Sequence, residues 1–137
     1  MQVEGRCHCG AITFTAEVDP GEVSVCHCTD CQMLTGSAFR ANVPAAAARF
    51  VLRGPAPVTY VKTADSGAKR RHAFCGRCGT PIYACADTDR PERYSLRVGT
   101  IAQRGLLGRP KRQIFRRSAL GWVDDLAAVS QFPEGAP

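Results

Sequence analysis

The 137-residue sequence contains no apolar run approaching the length of about 20 residues that spans a bilayer, so a membrane-crossing helix is excluded. Its opening, Met-Gln-Val-Glu-Gly-Arg, lacks the basic and apolar stretches of a secretory leader; a cytoplasmic location is expected and a membrane partner is not. Aromatic residues make up only 7% of the chain, and Phe115 stands almost alone within its densest basic segment. A stacking platform interleaves aromatics with cations, so nucleic acid is not an expected partner. Helix-forming segments are equally scarce. Ala45–Ala48, after Pro44, is the one stretch of high helical propensity, and four alanines predict a single turn. With no repeat or low-complexity linker, residues 1–137 are expected to form one domain, with 132–137 as a frayed tail.

What the chain does have is turns. Thirteen glycines and nine prolines spread along it fit many short strands and fit a helix bundle poorly. In Ala11–Val18, Ile12, Phe14, Ala16 and Val18 alternate with Thr13, Thr15 and Glu17, the period of a half-buried strand. Asp19-Pro20-Gly21 ends it, Val23–Cys26 begins another strand, and Thr29–Thr35 reads as one or two helical turns closed by Gly36. Further strands are predicted at Ser37–Val43, Arg49–Leu52, Val58–Thr63, Arg70–Phe74, Ile82–Ala86 and Arg93–Val98. Those at Val58–Thr63 and Arg70–Phe74, joined through Asp65-Ser66-Gly67, read as a hairpin that delivers Cys75 and Cys78. The expected fold is mainly β, with two layers of antiparallel sheet.

Seven of the eight cysteines fall in three tight groups: Cys7 and Cys9; Cys26, Cys28 and Cys31; Cys75 and Cys78. A disulfide framework draws partners from distant segments and belongs to an oxidising compartment, whereas thiolates paired on short knuckles are how a tetrahedral zinc site is built. The simplest partition joins Cys7, Cys9, Cys75 and Cys78 into a closed structural site and leaves Cys26, Cys28 and Cys31 one ligand short, the arrangement of catalytic zinc. His8, His27, His72, Asp30 or Cys85 can also supply a fourth ligand and close the second site. Cys85, in the apolar run Pro-Ile-Tyr-Ala-Cys-Ala, reads first as a small buried hydrophobe. His27, between two ligand cysteines, reads first as a surface histidine with its ring turned from the metal. His27 and Asp30 are nonetheless the candidate proton carriers, because they lie within the ligand loop.

Lysine and arginine number 18 against 12 acidic residues, and the segment from Arg104 to Arg117 carries Arg104, Arg109, Lys111, Arg112, Arg116 and Arg117 with no acid among them. Either it is a solvated, charge-protected edge or it binds an anion, and next to the open site it would offset the formal charge of three thiolates on zinc.

The ordered segments G-R-C-H-C-G-A-I-T-F, C-H-C-T-D-C-Q-M-L-T-G-S-A-F and F-C-G-R-C-G-T-P-I-Y resemble the glutathione-dependent formaldehyde-activating enzyme family, with its centromere protein V relatives. Gln113-Ile-Phe-Arg-Arg-Ser followed by Trp122 looks like the family's closing segment, which usually carries histidine at the position of Gln113. The resemblance implies a β-tent fold, two zinc ions per chain on the two cysteine sets just described, and a carbon-sulfur lyase that joins a small thiol such as glutathione to an aldehyde such as formaldehyde. Two other readings stay open: a non-catalytic two-zinc module docking an anionic partner through its basic face, and a methionine sulfoxide reductase using Cys85.

Overall fold

The computed structural model describes residues 1–136; Pro137, the last residue of the expected tail, lies outside them. The regular elements are β1 (Gln2–Arg6), β2 (Thr13–Val18), β3 (Ser24–Cys26), α1 (Thr29–Thr35), β4 (Arg40–Arg53), β5 (Val58–Thr63), β6 (Lys69–Phe74), β7 (Pro81–Ala86), β8 (Arg93–Arg97) and β9 (Arg112–Ile114), with 3-10 segments between β2 and β3, between β8 and β9, and after β9. The strands form one large sheet in the order β1-β2-β4-β8-β7-β6-β5, with β3 laid antiparallel against β4 and β9 parallel to β3. The two layers expected from the sequence are two wings of this one ladder. Val3 of β1, Phe14 and Ala16 of β2, Ile82 of β7 and Leu96 of β8 belong to a single buried cluster, so the sheet curls to bring its wings together.

The spine of the curl is β4. The expected strands Ser37–Val43 and Arg49–Leu52 are parts of this one 14-residue strand, and the Ala45–Ala48 turn between them is not helical. Tertiary pairing overrides alanine's helical propensity here: Val43 and Ala45 are inserted into the core, opposite Leu96 and Tyr94 of β8. On the other edge the register with β2 jumps, Ala16 facing Phe50 but Val18 facing Ala45. Two steps along β2 thus correspond to five along β4. That surplus bends β4 away and lets one strand serve both wings.

Several expectations hold closely. Ile12, Phe14, Ala16 and Val18 are all buried, α1 covers Thr29–Thr35, and Gly36 caps it in the left-handed region at φ 62°. β5 and β6 form the expected hairpin, Val58 facing Phe74 through to Thr63 facing Lys69. Strands β1 and β9 were not expected. Among the described residues of the 132–137 tail no helix or strand forms.

Gly5 of β1 lies opposite Phe14 of β2, and the Phe14 ring covers it so closely that an added Cβ would stand 2.0 Å from Cζ. The ring is fully buried against Phe50, with centroids 5.7 Å apart, so it must shift to admit a methyl group. Gly5→Ala is expected to cost about 2–3 kcal/mol through overpacking, read as a lowered midpoint in denaturant unfolding. An unchanged midpoint would mean that the ring swings aside freely.

Candidate metal centres and the adjoining cleft

The two knuckles that end β1 and β6 are built alike. The Cys7 amide donates to the Ile12 carbonyl at 3.0 Å and that of Cys75 to the Thr80 carbonyl at 2.9 Å. Within each loop a glycine amide returns to the first cysteine's carbonyl, Gly10 to Cys7 and Gly79 to Cys75, and both glycines have positive φ, 78° and 74°. That region admits glycine without strain, so the chain can curl with its sulfurs on one side. The His8 amide ties the knuckles together by donating to Thr80 Oγ1 at 3.0 Å.

The sulfurs of Cys7, Cys9, Cys75 and Cys78 consequently lie within 4.8 Å of one another, with Cys7 to Cys9 at 3.5 Å and Cys9 to Cys75 at 3.8 Å. Four sulfurs on a tetrahedral zinc, each bonded at about 2.3 Å, stand about 3.8 Å apart, so these spacings fit the ion and are far too long for a disulfide. The Thr80 hydroxyl helps to pull the Cys78 thiol down to about 5, while Cys9, despite a lowering hydrogen bond from the Ala11 backbone, is pushed up to about 11 by desolvation and by the neighbouring thiols. Protons in such a group are shared unevenly, and a divalent cation replaces them.

Cys26, Cys28 and Cys31 form the second group, their sulfurs also within 4.8 Å of one another. Cys26 ends β3, Cys28 is the N-cap of α1, accepting on its sulfur from the Cys31 amide at 3.3 Å, and Cys31 lies in the first turn. The Cys31 thiol hydrogen-bonds Cys26 and draws it down to about 5, while Cys31 itself is driven up by the same neighbour and by burial. None of His8, His27, His72, Asp30 or Cys85 joins these three sulfurs among the described residues. Cys85 is the buried hydrophobe expected of its setting, and burial raises its thiol pKa.

His27 is not the surface residue its sequence context suggested. It is fully buried beside Phe39, its Nε2 donating to Gln113 Oε1 at 2.8 Å. Gln113 sits on β9, the strand that alternation could not reveal in three residues. The closing segment is stitched under the ligand loop: the His27 amide donates to the Ile114 carbonyl at 3.0 Å, and Gln32 Nε2 reaches both the His27 and the Ser118 carbonyls. Asp30 is half-exposed and ion-paired with Lys62 of β5.

The basic segment is partly neutralised by ion pairs. Lys111 and Arg112 pair with Glu22, Arg116 with Asp124 and Arg117 with Asp65; Arg109 makes no ion pair among the described residues, and Arg104 lines a large cleft. Positive charge beside the three-cysteine group comes from residues the sequence did not single out. Cys26 faces Arg40 across β3 and β4, Asn42 faces Arg97 across β4 and β8, and the same face continues through Ser95 and Ala84 to His72 on β6. Arg40 and Arg97 are buried, and both approach His72 Nδ1, at 3.4 and 3.2 Å. Burial, then the charges of Arg97, Arg40 and Lys62, holds the His72 imidazole down to about 4. Lys62 keeps its proton above the ordinary lysine range: burial works against it, but the Asp30 hydrogen bond and the nearby Cys28 and Cys31 charges prevail.

The cleft, about 1130 Å³ in volume, runs from Cys7 and His8 past Phe39 to Arg40 and Arg97. Arg40 therefore adjoins both the cleft and the three-cysteine group: burial lowers its pKa, and the charges of Cys31, Cys28 and Cys26 act against that lowering.

Because His72 charges near pH 6.5 in an unfolded chain but only near 4 in the native one, the unfolded state binds the extra proton between those values. This residue's effect on stability is absent above about pH 6.5 and becomes steadily destabilising as the pH falls toward 4. An NMR titration of the His72 ring is expected to show the neutral form at pH 5.5, and a midpoint near 6.5 would refute the arrangement.

The model of the glutathione-dependent formaldehyde-activating enzyme family matches residues 2–118. A Halomonas elongata protein provisionally named a glutathione-dependent formaldehyde-activating enzyme is 28% identical over 88 residues, 61% of this chain and 55% of that protein. The chain thus spans about half the length of this curated relative. The crystal structure of a Rhodobacter sphaeroides protein shares the fold, with a TM-score of 0.60 at 21% identity over 80% of this chain and 98% of that one. With most of its length matched in this way, the chain belongs to the glutathione-dependent formaldehyde-activating enzyme family.

Proposed function

We propose that the protein is a zinc-dependent enzyme of carbon-sulfur lyase type, reversibly adding a small thiol, glutathione or one like it, to an aldehyde, formaldehyde or one like it. The observation that carries this reading is the difference between the two cysteine groups, four sulfurs in one and three in the other. Four thiolates complete a tetrahedron and make a structural site, whereas three leave a position for substrate. Family membership supports the thiol and aldehyde as substrate classes. Cys7, Cys9, Cys75 and Cys78 would hold one zinc ion and Cys26, Cys28 and Cys31 a second. Bound at the second site, zinc supplies Lewis acidity that makes an adjacent thiol easier to deprotonate.

The remaining roles fall to side chains. Asp30, half-exposed between two of the ligands in the chain and steered by Lys62, accepts the thiol proton. As the sulfur-carbon bond forms, the carbonyl π electrons move onto oxygen, and Asp30 returns the proton there to give the S-hydroxyalkyl product. His27, buried and bonded to Gln113, is a positioning residue: it holds the ligand loop against β9. Cleft arginines give an anionic thiol a favourable approach.

Elemental analysis of protein purified without chelator is expected to give two zinc ions per chain, falling to one in the Cys26→Ser, Cys28→Ser double variant. Cys28→Ser alone is expected to reduce thiol-dependent aldehyde consumption by more than about 100-fold, with far-UV circular dichroism unchanged. A fully active Cys28→Ser protein, or one zinc in the parent after zinc is resupplied, would overturn the proposal.

A further inference from the structure

Arg40 and Arg97 are only 4% and 8% exposed, and neither is ion-paired with a carboxylate among the described residues. Their hydrogen-bonding partners are neutral. Arg97 donates to Asn42 Oδ1, and both guanidinium groups approach His72 Nδ1, which acts as acceptor when the ring carries its proton on Nε2. The Nε atoms of both arginines are buried with no partner among the described residues. Two like charges buried side by side, each with an unused donor, are costly unless something negative sits with them.

The three-cysteine group supplies part of the compensation. With zinc bound it carries one net negative charge and Asp30 a second, against three positive charges from Arg40, Arg97 and Lys62. One positive charge is left over, and it faces a cleft whose wall adds Arg6, Arg53 and Arg104 against Glu4 as its one carboxylate. Arginine forks match a carboxylate in a way that lysine does not, because the planar guanidinium donates two parallel hydrogen bonds. The geometry also limits the reach: Arg40 is the cross-strand neighbour of Cys26, so a carboxylate held by the pair lies within a small molecule's length of the open site.

We propose that Arg40 and Arg97 form a carboxylate-binding subsite, oriented by His72 and Asn42, that selects thiols bearing an acidic group for the reaction at the three-cysteine site. The thiol half rests on the function proposed above; the carboxylate half stands on the arginines alone. Two experiments separate them. In the first, propionate is titrated into the zinc-loaded, 15N-labelled protein, and the arginine Nε-Hε signals are followed, assigned through Arg40→Lys and Arg97→Lys. The Arg40 and Arg97 signals are expected to shift saturably and those of Arg90 and Arg93 to stay; no shift of either buried arginine would overturn the subsite.

In the second, calorimetry compares 3-mercaptopropionate with 2-mercaptoethanol. The acidic thiol is expected to bind about tenfold more tightly to the parent and less than about threefold more tightly to Arg97→Lys. Equal affinities in the parent, or an advantage that survives in both lysine variants, would overturn the selection of acidic thiols. Should propionate shift the signals while neither thiol binds, the thiol-activation reading fails and the anion site stands.

Discussion

The architecture depends on one convergence: the sulfurs that follow β1 and β6 meet. These strands are five steps apart along the ladder, about 24 Å if the sheet were flat at about 4.8 Å per strand, yet their terminal cysteines belong to one cluster. The curl that this requires encloses the core between the wings and turns the opposite face of β4 and β8 toward the ligand loop. Knuckles of matching hydrogen-bond pattern close the two ends. Their glycines take the one backbone conformation that would burden any other residue.

The same sheet separates chemistry from packing through its alternation. Val43 and Leu96 face each other within the core, and the residues one step away, Asn42 and Arg97, face each other on the site side. A slip of one residue between β4 and β8 would bury the wrong set on both faces at once. The site face and the core are therefore specified by one register, and the surplus residues that bend β4 leave that register intact where the arginines lie.

Legibility in the sequence followed the range of the interaction. β2, α1 and the β5–β6 hairpin were readable because alternation, a capping glycine and a turn are local signals. The cysteine partition was readable too, since ligand spacing within each knuckle is local and only four sulfurs complete a tetrahedron. β4 was read as two strands and a turn because alanine's propensity acts over a few residues, whereas its pairing with Tyr94 and Leu96 acts across some fifty. Arg40 and Arg97 gave no signal, as an isolated arginine reads as solvated until the register of three strands is known. Conversely, the run from Arg104 to Arg117 looked like a charged face because its partners, Glu22, Asp65 and Asp124, lie elsewhere in the chain.

β9 runs parallel to β3, and parallel neighbours cannot be joined by a tight turn. The bonds from His27 to Ile114 and from Gln32 to Ser118 therefore close loops of more than eighty residues. During synthesis the three sulfurs of the ligand loop emerge early, the four-sulfur set is complete at Cys78, and the strand that braces the loop emerges last. The three-cysteine loop thus spends the longest part of the chain's assembly without its brace, in the order that long-range pairing imposes on folding.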